Sequence, residues 1–118
     1  MRLYIKKDVV STGVVPEIWI ALGAIAMAKY VLFNNLEDVV VTSMNDGDHM
    51  KDSLHYKGKA VDIRTKDMLL TDAQYLCAQV KGCLDSMGFD VILEDKPPHL
   101  HVEFDPKGSE QMLVRLAE

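Results

Sequence analysis

The sequence predicts an α+β domain: a small, mainly antiparallel sheet of about four strands flanked by helices. Three observations carry this. Short β-branched or alternating runs occur in pairs rather than in strict alternation with helices. Two longer segments repeat apolar residues at helical spacing. The 118-residue length fits one compact unit, so residues 1–118 are read as a single domain. The apolar and charged fractions, 48% and 26%, are those of an ordinary globular chain rather than a disordered one.

Taken in order, Arg2 to Val10 suits a short strand or arm. Pro16 and Glu17 fit a helix's first turn, and Asn34 and Asn35 end the helix after Phe33. This helix is apolar nearly all round, which predicts a central place in the core, Trp19 included. Val39–Ser43 reads as a buried strand, and Met44–Tyr56 as a polar, Asp-rich loop. Ala60–Arg64 reads as a second strand. Thr71 with Gln74 three residues on forms a capping-box pattern opening a second helix. Ala73, Leu76, Val80, Leu84 and Met87 mark its buried stripe, and Gly88 sits where a C-terminal cap belongs. Phe89–Leu93 is a third strand. Leu100, Val102 and Phe104 alternate with His99, His101 and Glu103, so a fourth strand carries both histidines and Glu103 on one face. Ser109 opens a last helix carrying Met112, Leu113 and Leu116.

Several function classes are disfavoured. A net charge of −5 argues against a nucleic-acid partner. The uninterrupted apolar run from Ile18 to Ala28 is shorter than the ~20 residues a membrane span needs. Asp8, Pro16 and Glu17 separate the basic start from that run, so no signal peptide is apparent. Cys77 and Cys83 fall in one helix at about 120° and roughly 9 Å along the axis. That exceeds the ~7 Å reach of a disulfide, and both are expected to be small buried hydrophobes.

The chemistry concentrates in two places. His55 lies at the end of the polar loop and Asp62 inside the next strand, with Gly58 allowing a tight turn between them. His99 and His101 point the same way from their strand. An aspartate flanked by Ala60, Val61 and Ile63 is costly unless it is paired or bound to metal. Two imidazoles and a carboxylate suit a zinc ion (Zn2+) with one position left open. The plain alternatives are solvent-exposed histidines and an incidental His-x-His; His49 is assigned to solvent.

Ser53-x-His55-x-x-Gly58-x-Ala60-x-Asp62 followed by His99-x-His101 resembles the signature of the zinc D-alanyl-D-alanine carboxypeptidase and L-alanyl-D-glutamate endopeptidase family. Those enzymes have the Hedgehog/DD-peptidase fold, and small members are common in phages. The resemblance covers Val39 to Phe104. It implies metal ligands His55, Asp62 and His101, a supporting Ser53, and His99 beside the reacting centre. It also implies hydrolysis of peptide bonds in bacterial peptidoglycan by metal-activated water, the peptidoglycan peptide being the partner. No nucleic-acid or membrane partner is expected, and the oligomeric state is left open, with a monomer the first expectation. It would reside in the host cytoplasm before release to the wall, or with the virion. Two departures stand out. Many members place an acidic general base three residues before the last ligand, where this chain has Pro98; His99 ranks first as the substitute and Glu94 second. Members also carry an arginine where this chain reads Thr42-Ser43-Met44-Asn45-Asp46. Lys51, Lys57 or Arg64 are the available cations, and an endopeptidase gains ground over a carboxypeptidase. The remaining alternative is a non-catalytic, metal-stabilised phage structural or interaction domain of the same fold.

Overall fold

The computed structural model describes residues 2–9, 11, 13–33, 38–44 and 58–106. Among the described residues the elements are β1 (Leu3–Ile5), α1 (Pro16–Phe33), β2 (Val39–Ser43), β3 (Ala60–Arg64), α2 (Leu70–Leu84), β4 (Phe89–Asp95) and β5 (Pro98–Phe104), with a 3-10 turn at Asp85–Met87. The five strands form one sheet in the order β1-β2-β3-β5-β4. The β2–β3, β3–β5 and β5–β4 pairs are antiparallel; β1 lies parallel to β2 at one edge. The α+β class holds, and the N-terminal arm supplies a strand beyond the four expected.

Alternation divides the residues of this sheet cleanly. Val39, Val41, Val61, Ile63, Leu100, Val102, Phe89 and Val91 point to one side and pack with α1 and α2 into a single core. The opposite side of β3 and β5 carries Asp62, Arg64, His99, His101 and Glu103. β3 is buried along Ala60–Ile63, so both its faces are covered, as befits a central strand.

The helices depart from expectation in instructive ways. α1 has the predicted bounds, but only one face is inside: Ile18, Ala21, Leu22, Ile25, Ala28 and Lys29 are buried. Trp19 is not core; it is 45% exposed. An all-apolar helix has no polar face to turn outward, so the sequence cannot say which side meets the sheet. α2 begins one residue early, at Leu70, with Leu69 as N-cap and no side-chain capping bond, so the Thr71–Gln74 capping box is not formed. Ala73, Leu76, Val80 and Leu84 are buried as expected, whereas Met87 is exposed because the helix has already tightened into the 3-10 turn. Gly88 caps that turn at φ 88°. Both cysteines are free, and neither is buried: Cys77 is half-buried and Cys83 exposed. The expected helix from Ser109 lies outside the described residues.

Candidate metal centre

The site is built by register. β3 and β5 pair antiparallel, which sets Asp62 opposite His101 and Arg64 opposite His99. β4 and β5 pair next, which sets Glu94 opposite His99, Ile92 opposite His101 and Asp90 opposite Glu103. The chain reverses between β4 and β5 at Lys96 and Pro97, and that reversal delivers Glu94 to the histidines. An acid is thus placed beside His99 by the neighbouring strand, although position 98 itself is proline. Glu94 and His99, two alternatives in the sequence, form one pair.

His101 Nδ1 lies 2.8 Å from Asp62 Oδ1. The carboxylate accepts from the imidazole N–H, and the two side chains are only 15% and 12% exposed. Burial works against a charged His101. The Asp62 hydrogen bond and the negative charges of Asp62, Glu103 and Glu94 outweigh it, and the pKa is raised. His99 Nε2 sits 3.8 Å from Asp62 Oδ1 and 3.7 Å from Glu94 Oε1. Its Nδ1 faces the Pro97 carbonyl, which can only accept, so Nδ1 carries a hydrogen. Nε2 is therefore the nitrogen left to exchange a proton on the site side. Below His101 on the same strand, Glu103 Oε1 is 3.5 Å from His101 Nε2.

The two described donors are of the kinds that zinc takes. Asp62 and His101 offer an oxygen and a nitrogen at the same point of the sheet. In a tetrahedral site with bonds of about 2.0–2.1 Å, two ligand atoms lie about 3.3 Å apart. The 2.8 Å pair would need to open by roughly half an ångström and exchange its shared hydrogen for the metal. His55, Ser53 and His49 lie outside the described residues, as do Lys51 and Lys57. Arg64 shares the face with Asp62, but its guanidinium is held 3.0 Å from Asp67.

A second group of side chains has no counterpart in the sequence motifs. Asp90, Glu103 and Asp105 bring carboxylate oxygens within 4.8 Å of one another, and this acidic cluster could hold a metal ion. Its signal exists only in register: Asp90 and Glu103 are cross-strand partners thirteen positions apart in sequence, and like charges directly opposite repel.

Compared with known proteins, residues 18–103 match the family model of the Hedgehog amino-terminal signalling domain. No curated protein matches the chain.

Proposed function

The chain belongs to the Hedgehog amino-terminal signalling domain family, within the Hedgehog/DD-peptidase-like superfamily, and from that premise we propose that it is a zinc-dependent peptidase acting on peptide bonds of bacterial peptidoglycan. What supports this reading is the cross-strand pair of Asp62 and His101 with the His99–Glu94 pair beside it on one sheet face. His55, Asp62 and His101 would hold the ion. Zinc so held would polarise a substrate carbonyl and lower the pKa of a water at the site.

The chain's own residues do the proton work. With Nδ1 donating to the Pro97 carbonyl, His99 Nε2 takes the proton that the attacking water gives up. The Glu94 and Asp62 carboxylates stabilise the imidazolium that results. The same proton then passes from Nε2 to the leaving amine nitrogen as the peptide C–N bond breaks. Asp46 in place of an arginine, together with the engagement of Arg64 by Asp67, favours an endolysin-type endopeptidase over a carboxypeptidase, which must grip a free terminal carboxylate. A phage-borne origin accords with the sequence motif.

The test is direct. Zinc-loaded protein incubated with purified peptidoglycan of several chemotypes should release new amino termini. EDTA should stop the release and added zinc restore it. No release from any chemotype, with zinc shown to be bound, overturns the peptidase.

A second reading has its own support: the matching family model is that of a signalling domain, and Pro98 replaces the usual acid. In that reading the site binds zinc to stabilise a non-catalytic interaction domain. Zinc then raises the melting temperature while turnover stays at background.

A further inference from the structure

A cleft opens between the first turn of α2 and the neighbouring ends of β3, β5 and β4. It encloses about 460 Å³, within the ~300–1,000 Å³ of small-ligand sites and far more than one ion needs. Its lining is apolar at Met68, Leu70, Ala73 and Leu93. Leu70 is 67% exposed, so part of that apolar lining meets solvent. The flanks are charged and of opposite sign. Lys66 follows the end of β3, while Glu94 and Asp95 end β4. β5 lies between those strands, so the two flanks stand two strand spacings, about 10 Å, apart. Thr65 N–H donates to the Pro98 carbonyl at 3.3 Å and fixes the Lys66 flank against β5.

Two further facts bear on what the cleft receives. Among the described residues neither Lys66 nor Asp95 has an ion-pair partner, whereas Arg64 is engaged by Asp67. Both charges are therefore available to a ligand. Glu94 joins the cleft to the reacting centre, since it lines the one and lies 3.7 Å from His99 Nε2 in the other. A peptide held at His99 has a side-chain site within reach of its neighbouring residues.

We propose that this cleft is the subsite for a long aliphatic side chain that ends in both an ammonium and a carboxylate, the form of the diamino-dicarboxylate residue of a peptidoglycan stem. Lys66 takes its carboxylate, Asp95 its ammonium, and the apolar lining its methylene stem. The inference rests on the peptidase reading above, which brings a stem peptide to His99. Charge selects this occupant over its relatives. A side chain ending in ammonium alone leaves Lys66 facing a like charge. One ending in carboxylate alone meets Glu94 and Asp95. A purely apolar side chain fills the lining but answers neither flank. Only the zwitterionic end pairs with both at once.

The test uses zinc-loaded, full-length protein and synthetic stem peptides that differ only at the third residue: diaminopimelate, lysine, 2-aminopimelate or norleucine. Backbone amide shifts report binding, and the same samples are assayed for new amino termini. The diaminopimelate peptide should bind about fivefold more tightly than the lysine or the 2-aminopimelate peptide, the effect of one solvent-accessible ion pair, with norleucine weakest. The largest shifts should fall at Lys66, Leu70, Ala73 and Asp95. Lys66→Gln should bring the diaminopimelate-to-lysine ratio close to one, and Asp95→Asn should do the same for diaminopimelate against 2-aminopimelate. The wild-type series decides the matter even if a variant fails to fold. Equal affinities across the four peptides, no binding of any, or shifts that fall outside the cleft overturn the proposal. Cleavage without that order of affinities leaves the peptidase standing and removes the subsite. The order of affinities without cleavage supports the subsite and overturns only the peptidase.

Discussion

A carboxylate on the central strand of a sheet loses most of its hydration, and Asp62 recovers part of it from the N–H of His101 across the ladder. The same contact sets the pH behaviour of both groups. His101 titrates above the usual histidine value of about 6.5 because Asp62 and its acidic neighbours overcome the penalty of burial. Its charged pair therefore stabilises the fold fully below the unfolded value, and that contribution is lost as pH rises through the folded one. Zinc binding runs the other way, since a ligand imidazole must be neutral. We expect zinc affinity, measured by competition with a chromophoric chelator, to be markedly weaker at pH 6 than at pH 8; a flat profile would show that His101 is no ligand. Asp62→Asn should bring the His101 titration, followed by NMR, back down. His99 makes a separate prediction. If it carries the proton, His99→Ala should cut kcat by roughly 10²- to 10⁴-fold while bound zinc stays stoichiometric. Loss of zinc instead would make His99 a ligand.

The entry to α1 is held against the start of β3 at a glycine with a left-handed backbone. Gly58 has φ 68°, and a Cβ there would lie 2.1 Å from the Gly13 carbonyl oxygen. This is the junction where the entry to α1 meets the start of β3, so no side chain fits without moving backbone. Gly58→Ala should cost about 3 kcal/mol, the left-handed penalty plus displacement of the Gly13 segment, and lower the melting temperature by about 10 °C. Gly82→Ala is the control: it lies within α2, a Cβ there meets nothing, and it should stabilise by up to about 1 kcal/mol. Much at this scale is legible in the sequence. Pro16 marks the start of α1 because its fixed φ and missing N–H suit a helix's first turn. Alternation fixes the histidine face of β5. Three features are not legible. The three residues of β1 are too few to show a period. The inward face of α1 is undetermined when both faces are apolar. The pairing of Glu94 with His99 depends on where the β4–β5 reversal falls, so it belongs to register rather than to either strand.

At the scale of the molecule, two places could hold a cation, and they separate by chemistry. The Asp62–His101 pair offers nitrogen and oxygen, which suits zinc; the Asp90–Glu103–Asp105 cluster offers oxygen alone, which suits a hard ion such as calcium. Any ion that binds only the folded chain stabilises it by linkage, about 4 kcal/mol when the free ion stands at a thousand times its dissociation constant. For a chain of this size that is a rise of roughly 15 °C in melting temperature. Zinc should produce this rise in the wild type, and His55→Ala, Asp62→Ala and His101→Ala should each remove most of it. Asp90→Asn should leave the zinc effect intact, because Asp90 lies across β5 on the edge strand, opposite Glu103 rather than His101. If Asp90→Asn abolishes the zinc shift while Asp62→Ala preserves it, the ion belongs to the acidic cluster, and both readings of the histidine site fall together. Retention of the shift in all three ligand variants but not in Asp90→Asn would likewise place the ion in the acidic cluster, so differential scanning with the four proteins settles where the metal sits before any substrate is tried.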